Sequence, residues 1–285
     1  MKYGIYLPNF GVFGDARVMA SLSKEAEDAG WDGFFIWDHV ARPFVTPLVD
    51  PFVALTAVAM NTEKITFGTM VTPIARRRPQ VVARQTASLD VLSGGRFVLG
   101  VGLGSGRDVE WAHFEEEADL KTRAQMTDEA LAILDGLWTG EPFSYEGNHY
   151  TVGESQFLPT PVQQPRIPIW IAGYYPHKAP MRRASRWDGM FILYGEADDP
   201  IVALRDSIAY VQEQRRADTP FDVVFLDMSS AGTSEEAIAT LAHQAGEVGA
   251  TWWLANIAPW RYGIEWEEEW DFDRMRVTVL AGPPK

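Results

Sequence analysis

Short runs of β-branched and aromatic residues alternate along this chain with longer stretches in which apolar residues recur every third or fourth position. The β-prone runs predict strands near Tyr3 to Pro8, Gly33 to Trp37, Ile65 to Val71, Phe97 to Val101, Ile167 to Ala172, Met190 to Tyr194, Asp222 to Met228 and Thr251 to Ile257. Between them, Val18, Leu22, Ala26 and Ala29 mark a helix face that stops at Gly30, a residue suited to a left-handed C-terminal cap. Pro79 opens another helix, where its missing N–H costs nothing, with Val82, Thr86, Leu89 and Leu92 on one side. Met126, Ala130, Ile133 and Leu137 form a further stripe, and Thr233 to Glu236 reads as a capping box ahead of Ile238, Leu241, Ala245 and Val248.

Strand followed by helix, repeated, is the pattern of parallel βαβ units. The runs GFFIW, FVLGVG and IPIWIAG are almost continuously apolar, as expected of strands covered on both faces. Eight such units with short connections predict a closed (β/α)₈ TIM barrel, since an open doubly wound sheet more often carries five or six strands. The 285 residues fit one such domain spanning 1–285. The rhythm breaks once, over about residues 139–166, where PFSYEGNHYTV and a proline-rich stretch predict a surface hairpin and an extended arm.

Composition narrows the function classes. Hydrophobic residues make up 46% of the chain, enough for a large core, and there is no cysteine, which removes disulfides, thiolate metal sites and a cysteine nucleophile. Twenty-five Lys and Arg face 39 Asp and Glu, a formal charge of −14 that disfavours nucleic acid and anionic lipid as partners. No run reaches the roughly 20 apolar residues of a membrane span, and the N-terminal run is interrupted by Pro8 and Gly11, so the expectation is a cytoplasmic protein. The five histidines show no metal-binding spacing, and neither a P-loop nor a GxSxG elbow occurs.

In a barrel of this kind the chemistry lies in the loops after the strand C-termini. Asn9 follows the first strand, and Trp37, Asp38 and His39 follow the second; an acid beside a histidine suits proton transfer to a bound ligand, the alternative being that Asp38 caps the loop and His39 packs. Met70, Val71 and Thr72 end the third strand, before Arg76, Arg77 and Arg78, which either hold an anionic group or pair with neighbouring acids. The glycine-rich run from Gly100 to Gly106, with Gly104 and Ser105, misses the dinucleotide-binding spacing but lets backbone approach a flat ligand closely. Ala172, Gly173 and Tyr174 end the fifth strand ahead of a short helix near Pro180 to Arg186, where backbone N–H groups suit a phosphate. Trp252, Trp253 or Trp260 near the last strand suit stacking on a ring system.

The segment TPIARRRPQVVARQTASLDVLSGGRFVLGVGLG, together with GWDGFFIWDH, LWTGEPFSYEGNHY and PTPVQQPRIPIWIAG in the same order, resembles the luciferase-like monooxygenase family over nearly the whole chain. The resemblance implies a TIM barrel with an insertion, binding either FMN or the deazaflavin coenzyme F-420 at the C-terminal rim, and a dimer. It places Asp38 and His39 near the flavin, an unusual non-prolyl cis peptide at Met70-Val71 behind the ring, and the phosphate at Ala172, Gly173 and Tyr174. In one respect the chain departs: similar F-420 dehydrogenases carry a glutamate soon after the strand-four glycines, where Ser105 stands here, leaving Asp108 or Glu110 as substitutes.

Three functions follow. The first is a monooxygenase using reduced FMN and oxygen on a small organic substrate, with Asp38 and His39 catalytic and a separate flavin reductase as partner. The second is hydride transfer with F-420, using His39 as acid or base. The third is a flavin-binding protein without catalysis. Ser105 turns the preference toward FMN, because hydride transfer needs an acid–base group on the substrate side.

Overall fold

The computed structural model describes residues 1–104, 109–195 and 197–284. Eight parallel strands close into a barrel: β1 (Lys2–Leu7), β2 (Gly33–Ile36), β3 (Thr66–Pro73), β4 (Phe97–Gly102), β7 (Ile169–Tyr174), β8 (Gly189–Leu193), β9 (Asp222–Asp227) and β10 (Trp252–Asn256). β10 returns to pair with β1 from Lys2↔Trp252 to Tyr6↔Asn256, which closes the barrel without an open edge. All eight predicted strands are present, with ends that differ by one or two residues. The largest shift at a strand start has a plain cause: Pro168 has no N–H to give the ladder, and β7 begins at Ile169 instead of Ile167.

The helices around the barrel are α1 (Ala16–Asp28), α2 (Pro51–Asn61), α3 (Pro79–Ser93), α4 (Val109–Ala112), α5 (Leu120–Trp138), α6 (Lys178–Ala184), α7 (Pro200–Gln214), α8 (Glu235–Glu247) and α9 (Phe272–Leu280). α1 stops where expected, with Gly30 at φ +91°. Pro51, Pro79 and Pro200 each occupy the first helical turn, and Asp50 and Asp199 cap α2 and α7 by accepting from two backbone N–H groups each. Two expectations are corrected. Leu92 is 49% exposed, because α3 is seated on the barrel through Val82, Thr86, Leu89 and Ser93 and turns Leu92 to solvent. The cap of α8 is Ser234, which accepts from the Ala237 N–H at 3.2 Å, so the capping residue lies one position beyond Thr233.

The predicted insertion forms the antiparallel hairpin β5 (Phe143–Glu146) and β6 (Thr151–Ser155). Glu129 of α5 pins its turn, accepting from the backbone N–H groups of Asn148, His149 and Tyr150 at 2.9 to 3.0 Å. No helix among the described residues is long and apolar enough to cross a membrane.

The core has two compartments. One lies between strands and helices; the other fills the barrel itself with Phe35, Met70, Val98, Trp170, Phe191, Val224, Leu226, Trp252 and Leu254. Rings plug the N-terminal half, with Phe35 5.3 Å from Trp170 and 5.5 Å from Trp252 between centroids. Toward the strand C-termini the filling ends on Tyr6, Val71, Ala172 and Leu193, which are only half-buried. The mouth is therefore at the end where the fold places chemistry.

Candidate active site

Three groups meet at the mouth beside β2: His39 from the loop after β2, Glu110 of α4 and Arg76 from the turn after β3. His39 Nδ1 lies 3.1 Å from Glu110 Oε2, a contact between the loop after β2 and α4. The same carboxylate accepts backbone N–H bonds from Val40 and Ala41 and forms an ion pair with Arg76 Nη1 at 2.9 Å. Buried to 3% side-chain exposure, the Glu110 carboxyl would by desolvation alone be pushed up. The hydrogen bond and charge of His39, the Arg76 guanidinium and the Val40 N–H outweigh burial and lower it from 4.5 to about 2. Glu110 is thus held as an anion against the Nδ1 edge of His39.

Local sequence explains why Glu110 is held there. Gly104 sits at φ +73°, and a Cβ on it would fall 2.8 Å from the Trp111 ring, so the chain leaves β4 closely against α4. Trp111 is buried under the Arg123 guanidinium, 4.0 Å from its ring, and Arg123 donates to the Leu103 carbonyl at 2.9 Å. α5 therefore clamps both sides of the segment that carries Glu110.

Asn9, buried completely, holds the backbone of His39 from the other side. Its Nδ2 donates to the carbonyls of His39 and Val49 at 2.9 and 2.8 Å, and its Oδ1 accepts from the His39 N–H at 3.1 Å. Asp38 is turned away from the mouth: its carboxylate receives Arg76 Nη2 at 2.9 Å and Arg77 Nε and Nη2 at 3.0 and 2.7 Å, with no side-chain exposure. Arg76 and Arg77 are accordingly directed to the chain's own acids, and Arg78 is the exposed member of the three.

At the floor of the mouth, the Met70-Val71 peptide is cis and the β3–β4 register shifts between Thr69 and Thr72, where the resemblance put such a feature. Met70 is buried in the barrel, Val71 is half-buried at its opening, and Thr72 donates to Thr69 Oγ1 at 2.9 Å. A Cβ on Gly102 would come 2.6 Å from Val71 Cγ2, so the glycine makes room for the shifted valine. Across the mouth, Ala172 and Gly173 are half-buried and Tyr174 is 58% exposed. A cleft of about 810 Å³ runs from Tyr174 and His177 to Asp199 and Val202, beside the mouth and away from His39. Ser105 and Asp108 lie outside the described residues.

The groups left for a ring ligand are apolar surface and a few polar atoms. Asn256, 1% exposed, has an unpartnered Oδ1, and the half-buried Trp37 has an unpartnered Nε1. Tyr6, paired with Asn256 in the β1–β10 register, is kept protonated by burial and by the neighbouring Tyr174, and so stays a neutral donor. An acceptor, two donors and an apolar floor fit the N–H and C=O edge and flat face of an isoalloxazine or deazaflavin ring equally well. Tyr6 and Asn256 were not singled out in the sequence, although the two-residue alternation of β1 and β10 turns both inward.

A family model described as Luciferase-like monooxygenase matches residues 1–282. An F-420-dependent glucose-6-phosphate dehydrogenase of Microbacterium testaceum is 36% identical over 172 residues, covering 56% of this chain and about half, 47%, of that relative. Among solved structures, an F-420-dependent secondary alcohol dehydrogenase in complex with an F-420-acetone adduct superposes with a TM-score of 0.76 at 16% identity, covering 90% of this chain and 93% of the other. The oxygenating constituent of 3,6-diketocamphane monooxygenase from Pseudomonas putida, in complex with FMN, gives 0.65 at 19% identity over 85% and 70%. At those identities the two structures share the fold with this chain.

Proposed function

The chain belongs to the luciferase-like monooxygenase family, whose relatives include oxidoreductases of both the F-420 and the flavin kind, and we propose that it is an F-420-dependent oxidoreductase moving a hydride between the coenzyme and a small organic alcohol or carbonyl compound. The observation that carries this reading is the buried Glu110 carboxylate on His39 Nδ1. Hydride transfer to or from a carbinol carbon requires a proton to move at its oxygen, and an imidazole backed by a fixed anion is built for that task. The preference for FMN rests on Ser105 standing where similar F-420 dehydrogenases carry a glutamate; the Glu110–His39 pair supports the alternative, with His39 as the acid–base group.

When bound, the deazaflavin supplies the two-electron acceptor or donor. His39 takes the hydroxyl proton as the alcohol is oxidised and returns it to the carbonyl oxygen in the reverse direction. Glu110 stabilises the imidazolium that forms in the first case, and Asn9 and the Val40 and Ala41 N–H groups keep the ring in place. Tyr6, Asn256 and Trp37 would hold the edge of the ring at the mouth, and Ala172, Gly173 and Tyr174 would meet its phosphate. Asp38 braces the loop through Arg76 and Arg77.

The test is anaerobic turnover. Purified protein with oxidised F-420 and a panel of secondary alcohols should bleach the coenzyme under argon. Product formed only with reduced FMN and oxygen would instead establish the monooxygenase reading and call for a reductase partner.

A further inference from the structure

We propose that the substrate side of His39 is an aromatic-walled pocket selective for an uncharged, ring-bearing alcohol or ketone and closed to sugar phosphates. This rests on His39 being the group at the substrate, as the proposed function has it.

The wall is drawn from loops after two different strands. His39 lies 5.8 Å from Trp37 between ring centroids, and Trp37 lies 6.2 Å from Trp260 and 5.8 Å from Trp266. Trp260 and Trp266 meet edge to face at 5.1 Å. All three indoles pack against one another and are half-buried, so part of each surface still reaches solvent. Aromatic faces in this arrangement favour a planar apolar partner, which gains offset or edge-to-face contact beyond its area burial.

Charge decides what such a partner cannot be. Within residues 37–50 and 256–273 the arginines are Arg42 and Arg261, and neither segment contains lysine. Arg42 is stacked over Phe10, Phe44 and Trp266 at 4.8 to 5.6 Å. Arg261 is held by Asp227 at 2.8 Å with 10% side-chain exposure. The loop that carries Trp266 is acidic on both sides of it, with Glu265, Glu267, Glu268, Glu269 and Asp271 all exposed. A phosphate dianion brought to His39 would meet this acidic rim in a protein of net charge −14, with Arg42 and Arg261 already engaged. A neutral ring bears no such penalty. The pocket therefore differs in charge logic from what a phosphorylated sugar requires, although several relatives are glucose-6-phosphate dehydrogenases.

Ligand-observed NMR titration of the full chain with acetophenone and with glucose 6-phosphate tests this without any coenzyme. The expected result is saturable transfer to acetophenone, weakened about 10-fold in Trp260→Ala and restored in Trp260→Phe, and none to glucose 6-phosphate. Circular dichroism establishes that each variant is folded. Glucose 6-phosphate binding as tightly as acetophenone, absence of acetophenone binding, or equal acetophenone affinity in folded Trp260→Ala would each overturn the proposal. Acetophenone binding without turnover in the presence of F-420 would defeat the hydride-transfer reading and leave the pocket assignment standing.

Discussion

His39 Nδ1 and Glu110 Oε2 stand 3.1 Å apart although 71 residues separate them in the chain. Pairing of β2 and β4 on either side of β3 brings the loop after β2 beside the exit of β4, and α5 holds that exit through Arg123 and Trp111. An anion fixed this way would orient a loop histidine for the proposed proton transfer.

Removing the imidazole while leaving its supports tests the role directly. In His39→Ala, Asn9 keeps its bonds to the main chain at positions 39 and 49, so folding should persist. Turnover should fall roughly 10²-fold or more, the usual scale for losing a positioned acid–base group. Steady-state kinetics beside a melting curve checks it; activity within a few-fold of the parent would remove His39 from the chemistry.

Glu110→Gln keeps the size of the side chain and removes its charge. The amide still bonds the loop N–H groups, but it no longer stabilises an imidazolium, so kcat should fall by about 10-fold or more with KM little changed. An unaltered kcat would mean that the anion serves only the loop.

A different outcome is expected at Asp38. It is paired with two guanidiniums, and Asp38→Asn leaves Arg76 and Arg77 short of a counter-charge in a site where Arg76 is 4% exposed. Breaking one side of a buried pair costs about 3–5 kcal/mol, so the loss should be in thermal or denaturant stability. A variant as stable as the parent but catalytically dead would return Asp38 to a chemical role.

Acid should loosen the site before the rest of the barrel. Glu110 is lowered from 4.5 to about 2 in the folded chain by His39, Arg76 and the Val40 N–H against the opposing effect of burial. A depressed carboxylate contributes stability that is present above its unfolded value and is lost as pH falls from about 4.5 toward about 2. The contribution is on the order of 3 kcal/mol. Denaturant titrations across that window should show a shallower acid dependence in Glu110→Gln than in the parent, and identical slopes would contradict the assignment.

How much of this was legible beforehand follows from range. Strands, helix stops and the hairpin are local, and GFFIW, Pro79, Gly30 and the turn near Asn148 each declare themselves within a few residues. Position at a strand C-terminus put Asn9, His39, Val71 and Gly173 around one mouth. Sequence distance concealed the pairing: nothing near Glu110 indicates His39, and nothing near the arginine run indicates that Arg76 and Arg77 turn inward to Asp38. The capping residue Ser234 and the exposed Leu92 differ from expectation by a single helical step, which only the seating of each helix on the barrel decides.

The account is tested most directly by equilibrium binding of the two cofactors to the purified protein. Dialysis against F-420 and against FMN, each in both redox states, should give saturable binding of F-420, lost or weakened when Tyr6 or Asn256 is truncated to alanine. Saturable FMN binding with none of F-420 would contradict the hydride-transfer assignment.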